Sequence, residues 1–225
     1  ELEQPSTGEK IKYRPFLVKE QKTLMMASES GDETQIRDSL AGIISSCTFE
    51  KIDPFNVPMF DVEFLFLRIR GKSVGEKIEL NLLCPDDGKT RVKTALNLED
   101  VNVNMKAGHT NEISVTDKIK IIMNYPTLND MVGMAGEKDA GFDEVLSMMK
   151  RCVHEIHDGE TVHSKVDISE SDLTEFIESL TTEKFQSLAE FFDTMPKVAH
   201  SIDVTNPKTK KKGEVVIEGI QSFFG

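Results

Sequence analysis

Apolar residues recur at helical spacing near the two ends of the chain and at strand spacing between them. After Pro15, the positions Leu17, Leu24, Met25 and Ala27 predict an amphipathic helix that stops at Ser30-Gly31-Asp32. Ile36, Leu40, Ile43, Ile44 and Cys47 predict a second helix from about Glu33 to Cys47. The stretch "FDVEFLFLRIRGKSVG" (60–75) first alternates at Phe60, Val62 and Phe64, then turns continuously apolar. Arg68 and Lys72 four apart, with Gly75 as a stop, favour a third helix there. Strands are predicted at 77–83, 90–98, 101–105 and 118–125. Phe142, Val145, Leu146, Met149, Cys152, Val153 and Ile156 then form a helical stripe over 142–156. Ser169 before Asp172, and Thr181 or Thr182 before "EKFQSLAEFFDTMP", start two short helices that form an αα-hairpin over 170–195. Strands at 200–204 and 214–219 close the chain, followed by "IQSFFG".

This reading gives an α+β protein: a small antiparallel sheet and hairpins packed with N-terminal and C-terminal helices. Five regions are expected: a flexible polar segment 1–12, a helical region 13–75, a β region 76–126, a second helical region 127–198, and a hairpin with tail 199–225.

Composition narrows the function. At 225 residues, with 38% hydrophobic and 29% charged content, the chain is long enough for a sizeable core. A net charge of −12 disfavours a sequence-independent nucleic-acid binder. Three widely spaced cysteines suit a reducing cytoplasm better than a disulfide scaffold. No apolar run approaches the roughly 18 residues a membrane helix needs. The opening "ELEQPSTGEK" has no apolar signal core and no initiator Met, and reads as a processed or trimmed start.

Two turns carry candidate chemistry. "CPDDGK" (84–89) is half of a metal knuckle: Cys84, Pro85 and Gly88 are in place, but Asp87 stands at the second ligand position. "NPKTKK" (206–211) repeats the shape, with Asn206 at the place of Cys84 and Thr209 at the place of Asp87. The pair reads as two degenerate zinc-knuckle-like hairpins, or as two ordinary hairpins with proline turns. If they are knuckle relics, their tips meet in space. Asp86 and Asp87 then oppose Lys208, Lys210, Lys211 and Lys212 as a charge pair, with Leu82, Val92, Val204 and Val216 packing beneath. The alternative is a solvated lysine run on a loose tip.

Elsewhere the chemistry is sparse. His154 and His157, three apart on the predicted helix, with His163 nearby, are a conceivable metal pair or a solvated polar face. Cys47 and Cys152 sit on apolar stripes and read as core thiols. "GKSVGEK" lacks phosphate-loop spacing, and the acids at 170–178 read as a helix surface. Nothing argues for an enzyme or a cofactor. Paired methionines (25/26, 131/134, 148/149) fill core or form adaptable surface. Phe176, Phe185, Phe191 and Phe192, with Phe142 nearby, exceed what the αα-hairpin needs for its own seam, which marks them as protein-binding candidates.

Several stretches together carry a resemblance: "YRPFLVKEQKTLMMASESGD", "FDVEFLFLRIRGKSVGE", "LTTEKFQSLAEFFDTMPKVAH" and "EGIQSFFG". In this order they resemble the baseplate protein family of T4-like contractile-tailed bacteriophages, and within it the baseplate hub subunit. The resemblance implies a non-catalytic hub subunit or hub assembly factor that binds other hub or tail proteins, in the virion tail baseplate or in host cytoplasm during assembly. Members often carry Cys-x-x-Cys pairs at the two hairpins, from which this chain departs at Asp87, Asn206 and Thr209. Two other expectations stand beside it. One is a tail assembly chaperone that binds the tape-measure protein and leaves the mature virion. The other is a zinc-ribbon-derived nucleic-acid binder, which the charge disfavours.

Overall fold

A computed structural model describes residues 1–130, 142–219 and 222. The elements run β1 (Leu2–Glu3), β2 (Lys10–Ile11), α1 (Val18–Ser30), α2 (Glu33–Cys47), α3 (Met59–Val74), β3 (Lys77–Leu83), β4 (Arg91–Asn97), β5 (Asn102–Asn104), β6 (Glu112–Ser114), β7 (Ile119–Met123), α4 (Phe142–Cys152), β8 (Val153–Asp158), β9 (Thr161–Ser164), α5 (Glu170–Glu178), α6 (Thr182–Thr194), β10 (Lys197–Thr205) and β11 (Lys212–Glu218). This is an α+β protein, and among the described residues every strand pair is antiparallel. The chain divides into two compact units: Glu1–Asn104 with Pro196–Gly225, and Met105–Met195.

In the first unit, α2 begins where Asp32 accepts hydrogen bonds from the amides of Thr34 (2.9 Å) and Gln35 (3.2 Å). It buries Leu40, Ile43, Ile44 and Cys47 along one side. Helix α3 buries Phe60, Val62, Leu65, Phe66, Leu67 and Ile69, so that its sides are apolar nearly all round. Arg68 on α3 donates to the carbonyls of Leu98 (2.5 Å) and Val101 (2.7 Å), which ties the helix to the chain after β4. Strands β3 and β4 form a separate ribbon, while β5, β10 and β11 form a three-stranded sheet in the order β11-β10-β5.

Residues 1–12, expected to be mobile, are instead ordered over β1 and β2. The carboxylate of Asp61, fully buried in α3, accepts from Gln4 Nε2 (2.6 Å), Ser6 N (3.0 Å) and Ser6 Oγ. The polar residues that look like a loop in a hydropathy pattern are the donors a buried carboxylate requires. Ile11, 3% exposed, anchors the other end of this strap.

Just beyond it, Arg14 grips Glu20 at both carboxylate oxygens (2.7 and 3.0 Å), and Glu20 also accepts from Leu17 N at the start of α1 (2.6 Å). The hydrogen bonds from Arg14 are the chief reason that the Glu20 carboxyl is held down at about 2. A depressed carboxyl contributes stability above the ordinary glutamate value, and that stability is lost as pH falls through about 2. Glu20→Gln is therefore expected to cost about 1 kcal/mol at neutral pH, with the difference shrinking towards pH 2. Urea denaturation of both proteins at the two pH values measures it.

The second unit is a four-stranded sheet, β6-β7-β8-β9, covered by helices. Ile113, Ile121, Met123, Val153 and Ile156 from the sheet pack with Leu146, Met149, Leu173, Ile177, Leu188 and Phe191 from α4, α5 and α6. Ser169 Oγ caps α5 at Asp172 N (3.1 Å), and Thr181 Oγ1 caps α6 at Lys184 N (3.4 Å). Three expectations are corrected here. The helix over 142–156 ends at Cys152, and 153–158 is strand β8, paired through Ile121↔Ile156. Val153 and Ile156, three apart, fit the helical period and not the regular strand period; a bulge in the pairing of β8 with β7, between Ile122 and Met123, lets both be buried in the strand. The region 127–198 is consequently not all helical. The β region 76–126 is also split, with β5 pairing β10 while β7 pairs β8. No helix among the described residues is long and apolar enough to cross a membrane.

Candidate functional site: two docked hairpin tips

The turns after β3 and β10 are built alike. In the first, Gly88 N donates to Cys84 O (3.0 Å); in the second, Lys210 N donates to Asn206 O (2.9 Å). The fifth residue of each is left-handed, Gly88 at φ 61° and Lys210 at φ 62°. The fourth residue of each accepts from the amide two residues on: Asp87 Oδ1 from Lys89 N (3.0 Å), Thr209 Oγ1 from Lys211 N (3.3 Å). Proline at the second position fixes φ in both turns.

The structure brings the two tips together. Asn206, 1% exposed, donates through Nδ2 to Asp86 Oδ1 (2.8 Å) and Asp87 Oδ2 (3.0 Å). Its Oδ1 accepts from Lys208 N (2.8 Å) and Thr209 N (3.3 Å). Thr209 Oγ1 donates to Asp86 Oδ2 (2.5 Å). Thr90, buried, donates through its hydroxyl to Asp87 Oδ2 (2.6 Å) and through its amide to Oδ1 (2.9 Å). One carboxamide thus serves both turns: it closes its own and clamps the other.

The expected lysine–aspartate charge pair is not what joins them. Neutral donors occupy the aspartates, and their depressed carboxyls follow from this: Asp86 through Thr209 and then Asn206, Asp87 through Thr90. A fixed amide or hydroxyl at hydrogen-bond distance outcompetes a flexible, strongly hydrated ammonium group. The four lysines, Lys208 included, are exposed. Of the expected packing residues, Val204 is buried and Leu82 and Val92 are half-buried, but Val216 is 58% exposed. Closer contact comes from Gly213, where an added Cβ would stand 2.6 Å from Pro85 Cγ. Gly213→Ala is expected to push the tips apart and cost about 1–2 kcal/mol, measured by thermal or chemical unfolding.

A zinc ion is the group such turns imply, and these residues do not fit one. Cys84 is fully buried, and burial together with the two aspartates raises its thiol. A cysteine binds zinc as the thiolate. The Asn206 amide and the aspartate oxygens are turned to one another. Among the described residues, no group of three or more His, Cys, Asp or Glu is placed to hold a metal. His154 and His157 lie in strand β8 rather than on one helix face, both beside Glu155 (3.6 and 2.9 Å).

The phenylalanines of the αα-hairpin are mostly core. Phe191 is 2% exposed and packs with Tyr125 and His109 at centroid distances of 5.6 and 5.3 Å. Phe192 meets Phe191 edge-on (5.1 Å), and Phe176 and Phe185 are half-buried against the same core. Of these five phenylalanines Phe142 is the exposed one, at 62%; it stacks on Phe185 (5.3 Å) and lines a groove of about 330 Å3 with Leu146, Ile177 and Leu180. Of the paired methionines, Met25 and Met26 are exposed and Met149 is buried, while Met131 and Met134 lie outside the described residues, as does most of "IQSFFG".

Comparison with known proteins is consistent with the resemblance read from the sequence. No curated protein and no solved structure matches the chain. The family model described as T4 bacteriophage base plate protein matches residues 1–225, and the chain belongs to that family.

Proposed function

We propose that this baseplate protein is a component or assembly factor of the baseplate hub, working through protein–protein contacts and without catalysis. The observation that carries the reading is the family match along residues 1–225, together with the hub-like stretches spread over the same length. Other baseplate or tail proteins are the partners this role requires. Mass spectrometry of purified virions and of isolated baseplates tests it. The chain is expected in both, at a fixed ratio to other baseplate proteins. Presence in infected cells alone would overturn the component reading and leave an assembly factor; co-purification there with the tape-measure protein rather than with hub proteins would favour a chaperone that leaves.

The finer reading of the fold is that the docked tips descend from a pair of zinc knuckles whose ligands were replaced. It is supported by the same closing hydrogen bond, the same left-handed fifth residue and the same proline in both turns. A hydrogen-bonded clamp now stands where a metal would have held the turns together.

A further inference from the structure

Docking of the tips has a second effect: it gathers Lys89, Lys208, Lys210, Lys211 and Lys212 at one place, all of them exposed. Among the described residues, no ion pair engages any of these five side chains. The two aspartates nearest in the turns are held by Asn206, Thr209 and Thr90. The result is a local excess of positive charge on a chain whose net charge is −12. It is also presented on a fixed scaffold. Backbone amides of Lys208, Lys210 and Lys211 are hydrogen-bonded within the turn, so the lysine backbone gives up little freedom on binding.

We propose that this basic tip is a docking surface for a second copy of the chain, which it meets at the acidic face of α5 and α6. Charge complementarity selects this occupant. Glu170, Asp172, Glu175, Glu178, Glu183, Glu190 and Asp193 are all exposed there, while Lys184 is the one basic residue between 170 and 193. The tip carries no aromatic residue on which nucleic-acid bases could stack. The tip of one copy and the helix face of another are different patches. Their contact is heterologous, and such contacts build rings or open filaments rather than a two-fold dimer. The two patches meet at contact distance, well inside the screening length of about 8 Å at physiological salt, whereas charges of the two chains farther apart than that are largely screened.

Sedimentation velocity on the purified full chain, at about 0.05 M and about 0.5 M sodium chloride, tests this without any phage component. Mass is expected to rise with concentration at low salt and return to monomer at high salt, a weakening of at least about tenfold. Reversing Lys208, Lys210, Lys211 and Lys212 to Glu is expected to give a monomer at low salt with an unchanged melting temperature, and neutral Lys210→Ala with Lys211→Ala to weaken association in the same direction. Mixing the reversed tip with a chain carrying Glu175→Lys and Glu178→Lys is expected to restore association between the two. A monomer at both salts, association indifferent to the tip, or no association in the mixture would each overturn the proposal. So would tip-dependent retention of a DNA probe by a monomeric chain.

Discussion

With Cys84 retained, the triple variant Asp87→Cys, Asn206→Cys, Thr209→Cys is expected to bind one zinc ion per chain. The changed positions are the fourth of the first turn and the first and fourth of the second, which with Cys84 supply four thiols. Asp87 Oδ2 and Asn206 Nδ2 already lie 3.0 Å apart, so the two turns need no large approach to share one ion. Structural zinc in small finger peptides is worth about 10–16 kcal/mol of apparent binding free energy, far more than the hydrogen bonds it replaces. The metal-free variant should melt well below the unmutated chain, and the zinc-loaded one above it. Metal analysis after dialysis, with melting curves in zinc and in chelator, gives the answer. A variant that takes up no more zinc than the unmutated chain would sink the ancestry reading. Stoichiometric zinc on the unmutated chain would contradict the loss of ligands.

Asn206→Ala is expected to be the most damaging single change at the tips, at about 2–5 kcal/mol. It removes both donors that clamp Asp86 and Asp87, and it strands the amides of Lys208 and Thr209, which have Asn206 Oδ1 as their acceptor. Burying an unsatisfied donor costs more than the net worth of the bond it loses. Lys208→Ala, two residues away and exposed, is expected to stay within about 0.5 kcal/mol. Chemical denaturation of the pair measures both. Equal small effects would show that the tips are held by packing rather than by the carboxamide.

How far such features are legible in the sequence depends on whether local signals agree. Helix α2 and strand β3 fall where the pattern puts them, because apolar residues keep one helical face through Glu33–Cys47 and alternate strictly at Ile78, Leu80 and Leu82 through Lys77–Leu83. The likeness of the two turns is partly local: the proline is written in both, but the left-handed fifth residue is signalled by Gly88 alone, since Lys210 adopts it without a glycine. What joins them is not local. Asn206 finds Asp87 across 119 positions of sequence, and spacing cannot choose between an amide and an ammonium group as the partner. The strap at Gln4 and Ser6 was hidden for the same reason, since its one strong partner, Asp61, lies more than fifty positions away on a helix whose buried side chains are otherwise apolar. The exposure of aromatic residues is likewise set by tertiary contact. Phe191 and Phe142 carry the same side chain, yet one is enclosed by His109 and Tyr125 and the other lies open.

The pairing of β5 with β10 carries a consequence for how the chain comes to be folded. Asn104 and Lys197 are partners in that ladder, so residues 105–196 leave and re-enter the first unit at adjacent points. The second unit is thus an insertion into a β-hairpin whose two arms are far apart in sequence. Closing that hairpin through an unstructured loop of such length would carry a large entropic cost, but a loop that has already condensed into its own sheet and helices brings its ends closer. The expected order of events is nested: the inserted unit forms from its own neighbours first, and the last strands of the host then complete the ladder.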